Sequence, residues 1–140
     1  MEPLELEKAI FERLKADALT KGINAVVELY PEVGDYALTH PHGAILLRYD
    51  SAQDDNSMGV GQRQFQTTLQ FHVTVYHRTL RDAGAMYELL RFVRNCLTGY
   101  APESFNFLKR TSEEFTTKIG DVWVFGQRYE ISTTILMGEE

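Results

Sequence analysis

The chain is poor in the features on which secreted, nucleic-acid-binding and membrane proteins depend. One cysteine, Cys96, stands among 140 residues, which excludes an internal disulfide and points to a reducing compartment. Fourteen Lys and Arg are outnumbered by 20 Asp and Glu, for a net charge of −6. The cations closest to a patch, Arg78, Arg81, Arg91 and Arg94, are interleaved with acids or apolar residues, so binding of duplex nucleic acid by phosphate neutralisation is not expected. No apolar run approaches the ~20 residues of a membrane span, and the N-terminus has no apolar leader core. Both absences predict a protein made and kept in cytosol unless a particle carries it out, with no membrane partner. A composition of 44% hydrophobic and 24% charged residues is that of a soluble globular chain, read as one domain over 1–140.

Constellations that carry chemistry are equally scarce. His40 and His42 flank Pro41 beside Gly43, a pattern of an exposed turn, with no Cys, Asp or Glu at ligand spacing to complete a metal site. His72 and His77 have opposite parity on one strand and cannot share a site. Met58-Gly59-Val60-Gly61 lacks the third glycine and the lysine of a phosphate loop and precedes a strand instead of a helix. Cys96 falls on an apolar helix face, where a thiol is inert. Glu113 and Glu114 are adjacent on an extended segment and diverge. The expectation is a chain that is not an enzyme, with no cofactor and no metal. A ligand-binding alternative would need polar groups converging in an apolar pocket, and its candidates are Tyr49, His72 and Arg128.

What the chain does have is periodicity. From Arg63 to Arg78 the residues alternate: Phe65, Thr67, Leu69, Phe71, Val73 and Val75 on one face, Gln64, Gln66, Thr68, Gln70, His72, Thr74 and Tyr76 on the other. A straight strand of this length spans roughly 50 Å, more than the diameter of roughly 37 Å expected for a globule of this size. It must bend, or project as an arm that pairs with another subunit. Its nearly uncharged polar face, Gln64, Gln66, Thr68 and Gln70, marks it as a candidate pairing edge.

Around this strand, Pro3 to Thr20 reads as an amphipathic helix with Leu6, Ile10, Leu14 and Ala18 inward and a stop at Lys21-Gly22. Ala25 to Tyr30 reads as a short strand, and Ala44 to Tyr49 as a central strand covered on both faces. Asp50 to Gln62 reads as a loop that either forms a free tip or orders on a partner, with Asp54 and Asp55 as interface candidates. Asp82 is placed to cap a helix running to about Thr98 and stopped by Gly99. Met86, Leu89, Leu90, Val93, Cys96 and Leu97 form its apolar stripe; Arg91 and Arg94 on its charged face are further interface candidates. A second long strand runs from Asp121 to Leu136, with Trp123, Phe125, Tyr129, Ile131 and Ile135 on one face and a bulge or bend expected at Gly126. The order α-β-β-β-α-β-β predicts an α+β fold, two helices on a mostly antiparallel sheet.

Two packing patterns, Tyr87-x-Leu89-Leu90-x-x-Val93-Arg94-x-x-Leu97-x-Gly99 and Gly120-x-Val122-Trp123-Val124-Phe125, join with the AILLRY and FHVTVYHR strands and the N-terminal helix into a pattern over nearly the whole chain. It resembles the Mu-type family of tailed-phage tail terminator, or tail completion, proteins. One departure is that His42 and Gly43 stand between Pro41 and the apolar strand. The resemblance implies a structural protein of a phage or prophage-derived tail, located in the virion tail after assembly in the bacterial cytoplasm. It implies a homo-oligomeric ring, six-membered, on the head-proximal end of the tail tube, with tube, sheath and head-neck proteins as partners. DNA would only pass through the channel, and six copies at −6 each, −36 in all, would suit a passage to which DNA does not stick. A head-completion or neck connector is the alternative within the same class.

Overall fold

The computed structural model describes residues 2–54, 64–102 and 106–136, with side chains 64–66 and 133–136 excepted. Two helices and five strands follow the order α1 (Pro3–Thr20), β1 (Val26–Leu29), β2 (Ala44–Asp54), β3 (Gln64–His77), α2 (Met86–Leu97), β4 (Lys109–Ile119) and β5 (Val122–Leu136). The strands form one sheet ordered β1-β2-β3-β5-β4. β1 is parallel to β2, and every other pairing is antiparallel. This is the α+β architecture that the periodicity predicts.

α1 forms because Pro3 supplies a preset φ in the first turn and because the four-residue spacing of Leu6, Ile10, Leu14 and Ala18 gathers them on one side. All four are buried, and Gly22 at φ 68 ends the helix. α2 buries Met86, Leu89, Leu90, Phe92, Val93, Cys96 and Leu97. Both helices lie on the sheet face made by Ile45, Leu47, Leu69, Phe71, Val73, Val75, Tyr129 and Ile131, and the main core sits between. Burying each such large apolar side chain contributes about 1.5–3 kcal/mol.

The opposite face is not bare. Ala44, Leu46, Tyr76 and Val124 form a second, smaller core, against which Tyr30, Tyr36 and Leu38 pack from the segment that follows β1. This explains why AILLRY is apolar at consecutive positions: Ala44 to Leu47 are buried alternately under the helices and under the tyrosine-bearing segment.

Four expectations need correction. The long strand is no arm: from Gln64 to His77 it is paired to β5 on one side, and from Thr67 to Tyr76 to β2 on the other. Its length is absorbed by the 15-residue β5, and from Thr67 to Tyr76, where its hydrogen-bonding groups are used on both sides, its backbone cannot add a strand; the sheet edges are β1 and β4. Of the segment from Asp50 to Gln62 expected as a loop, Asp50 to Asp54 belong to β2, which continues past a register shift between Tyr49 and Ser51, and residues 55–62 lie outside the described residues. Asp82 does not cap α2, which starts at Met86 with Ala85 as its N-cap; Asp82 O instead accepts from Ala85 N in the preceding turn. Gly126 makes no bulge, since β3 and β5 stay in register through it; the shifts fall in β4, between Arg110 and Ser112 and between Phe115 and Thr117.

Candidate functional site

The polar groups converge on the sheet face away from the helices. Arg48 on β2, His72 on β3 and Arg128 on β5 are cross-strand partners in one row. Asp50 is the residue skipped by the register shift in β2, and a bulge of this kind re-aims a side chain. Its carboxylate accepts from Arg48 Nη1 at 2.6 Å and from Arg128 Nη1 at 3.1 Å. One carboxylate thereby holds two guanidiniums on either side of His72.

His72 is buried, and its Nδ1 lies 3.0 Å from Thr74 Oγ1. Gly126 makes room for the ring: a Cβ there would come within 2.7 Å of His72 Nε2. Burial first, then the positive charges of Arg48 and Arg128, push the imidazole pKa below its ordinary 6.5, with Asp50 and Glu114 acting in the opposite sense. His72 is therefore a neutral imidazole at pH 7. Beside it opens a cavity of about 370 Å³ whose lining includes Tyr30, Tyr36, Tyr76, Arg48, His72 and Thr116. The rings of Tyr36 and Tyr76 stand 4.9 Å apart. Burial raises the pKa of both phenols, so they are neutral donors.

A second network ties helix to sheet. The fully buried Gln127 donates through Nε2 to Leu90 O of α2 at 2.9 Å and to Glu113 of β4 at 2.6 Å. Its Oε1 accepts from Tyr129 Oη at 2.6 Å, and Arg110 closes the chain on Glu113 at 2.9 Å. Cys96 is buried against α1, its Sγ 3.8 Å from Arg13 O, and burial pushes the thiol up to about 12. That thiol is no nucleophile at neutral pH.

The predicted interface residues divide between surfaces. Thr68 and Gln70 lie on the face away from the helices, where Thr68 Oγ1 is 3.4 Å from Ser132 Oγ and Gln70 accepts from Ser51 at 3.2 Å. Arg91 is exposed on α2; Arg94 lines a groove with Lys109 and Arg110. Asp54 accepts from Thr67 at 2.9 Å. Gln64 and Gln66 are described in backbone only, paired to Leu136 and Thr134. Asp55 and the Met58–Gly61 segment lie outside the described residues.

Of the proposed ligand trio, Tyr49 faces the helices, its ring 5.6 Å from Phe71, while His72 and Arg128 face the other way. The convergence that does exist needs Arg48 and Asp50. Parity places Arg48 and Asp50 with Leu46 on that face, a signal present in the sequence, but the register shift at Asp50 leaves no trace in it. His42 is exposed and His40 half-buried, and His42 N donates to His40 Nδ1 at 3.2 Å. Among the described residues no group of three or more His, Cys, Asp or Glu is placed to hold a metal ion, and no helix is long and apolar enough to cross a membrane.

A two-helix α+β domain whose single sheet is cored on both faces, and whose buried polar groups are engaged with one another, defines a packing-dominated class of protein. Its sequence matches the Gp37 protein family over residues 10–138, and the chain belongs to that family, which is phage-related. No curated protein matches it.

Proposed function

We propose that this phage-associated chain is a structural tail protein of the terminator type. Copies assemble into a six-membered ring on the head-proximal end of the tail tube, where the ring ends tube growth and presents the surface to which the head docks. The observation that carries this reading is the Gp37 family match across 10–138, which coincides with the packing patterns that resemble Mu-type terminators. Those patterns map onto the fold as its interior: Leu89, Leu90, Val93 and Leu97 of α2 and Val124 of β5 are all buried. The polar groups nearest to a reactive site support a non-enzymatic role, since Asp50 is spent on Arg48 and Arg128 and Thr74 engages His72. On this reading the protein is a virion component. Its partners are its own copies, tube and sheath subunits and head-neck proteins; DNA passes through the channel without being bound.

Tube polymerisation has no intrinsic end, so a cap must remove the growing surface and substitute another. Deletion of the gene is expected to give overlong or headless tails by electron microscopy with replication and lysis unaffected, and purified protein is expected to restore head joining without added metal or nucleotide. Tails of normal length on heads that leak DNA would replace this reading with a neck connector. Normal particles together with loss of a small-molecule conversion would replace it with an enzyme.

A further inference from the structure

Among the described residues the sheet ends in β1 on one side and β4 on the other, each paired to one neighbour only. An open edge is normally blunted by shortness, charge or bulges. β1 has four residues; β4 has eleven, with Lys109, Arg110, Glu113, Glu114 and Lys118 and two register shifts. Between those charges sits Phe115, on the helix-bearing face and 51% exposed. It leans on Trp123 at 5.9 Å and Phe125 at 5.6 Å, and Phe125 in turn meets Tyr87 of α2 at 6.4 Å. The result is an aromatic ledge bare on its outer side.

At the other end, on the same face, α1 overhangs β1 and leaves a cleft of about 670 Å³ whose lining includes Ala16, Leu19, Ile23, Val26 and Val27. Leu19 is 85% exposed there, and Leu29 of β1 is 44% exposed. The cleft and the ledge also share a level in the sheet: Val27 pairs with Ile45, Ile45 with Val75, Val75 with Phe125 and Phe125 with Phe115. From the pairings, β1 and β4 run in opposite directions.

We propose that two copies of this chain dock head to tail, the β4 edge of one adding antiparallel to the β1 edge of the next, with Phe115 entering the cleft under α1. The partner is a second copy because one sheet carries both halves of the junction, on one face and at one level. On that face β1 offers Val27 and Leu29, so either places an aliphatic side chain across from Phe115. Glu28 and Glu114 share a row on the other face, and like charges opposite each other oppose pairing. A shift of two residues keeps every side chain on its face, brings Leu29 across from Phe115 and moves Glu28 beside Thr116 and Thr117. Such a contact joins unlike surfaces and closes into a ring when its rotation divides the circle. The inference rests on the ring reading and names the surfaces that would make it.

Phe115→Lys and Leu29→Lys test it, each read by native mass spectrometry of the full chain over a concentration series, with melting curves to establish folding. Each variant alone is expected to weaken self-association by about tenfold or more, while an equimolar mixture gives a one-to-one dimer, since each partner retains the half that the other lacks. Should Phe115→Lys not fold, Glu28→Cys with Thr117→Cys in one chain, which this register sets side by side on the face away from the helices, is expected to give disulfide-linked multimers on oxidation. A wild-type ring left intact by both lysine variants, or no linked multimers from the cysteine pair, overturns these surfaces and leaves the ring reading standing. A wild-type chain that stays monomeric at every concentration and on purified tail tubes overturns both.

Discussion

Gly43 and Gly126 both lie where a side chain would collide, for different reasons. Gly43 has φ +88, and a Cβ there would meet Tyr76 O at 2.6 Å and His77 Cδ2 at 2.7 Å. Its carbonyl also accepts from Val26 N at 3.1 Å, so the turn that interrupts the Mu-type pattern aligns β1 with β2. Gly43→Ala therefore adds left-handed strain to a backbone clash and is expected to cost roughly 2–4 kcal/mol. Gly126→Ala meets the His72 ring, which can give way in part, and is expected to cost about 1–3 kcal/mol; chemical denaturation of both variants checks the order. His72 also makes stability depend on pH. Its folded pKa is lowered, so the unfolded chain binds more protons at mildly acidic pH, and stability is complete above about 6.5 and falls as pH drops below it. His77, lowered chiefly by burial, acts in the same sense. The melting temperature is expected to fall between about pH 7 and pH 5, and His72→Gln with His77→Gln to flatten that fall. A wild-type profile that is already flat would refute the assignment.

At the scale of elements, β3 and β4 are opposites. β3 is paired on both sides and buries Thr67, Leu69, Phe71, Val73 and Val75 under the helices, whereas β4 is mostly exposed. Phe71→Ala is expected to cost roughly 3–5 kcal/mol. Thr68→Lys cannot block strand addition to a backbone already paired twice, and is expected to stay within about 0.5 kcal/mol. Hydrogen exchange is expected to be slowest in the middle of β3 and fastest on the outward amides of β4. The contrast also shows what the sequence could carry. Parity placed the core face of β3 and the inward residues of α1 correctly, because burial on one side imposes a period that composition must obey. It did not reveal that the polar parity of β3, at Tyr76, is covered by Tyr36, since that cover comes from a segment without periodicity. Nor did it show which strands neighbour β3; strand order depends on long-range pairing that no local pattern encodes. Gln127 was missed for a related reason, since a polar residue among inward aromatics reads as an interruption until Leu90 O, Glu113 and Tyr129 are found around it.

For the whole molecule, the decisive feature is that α2 and β4 are inserted between the two longest strands. β3 and β5 are neighbours in space, yet their partners range from His77 and Trp123, 46 positions apart in the chain, to Gln64 and Leu136, 72 apart. Contacts so distant in sequence close slowly, because the loop entropy is spent before the contacts reward it. A chain truncated after residue 100 has lost the strand that covers one entire side of β3 and is expected to show no cooperative melting by circular dichroism. On the ribosome the same geometry works as a timer. Until β5 has emerged, the flank of β3 that it covers has no partner in the nascent chain, and the completed sheet arises only once synthesis has passed Leu136.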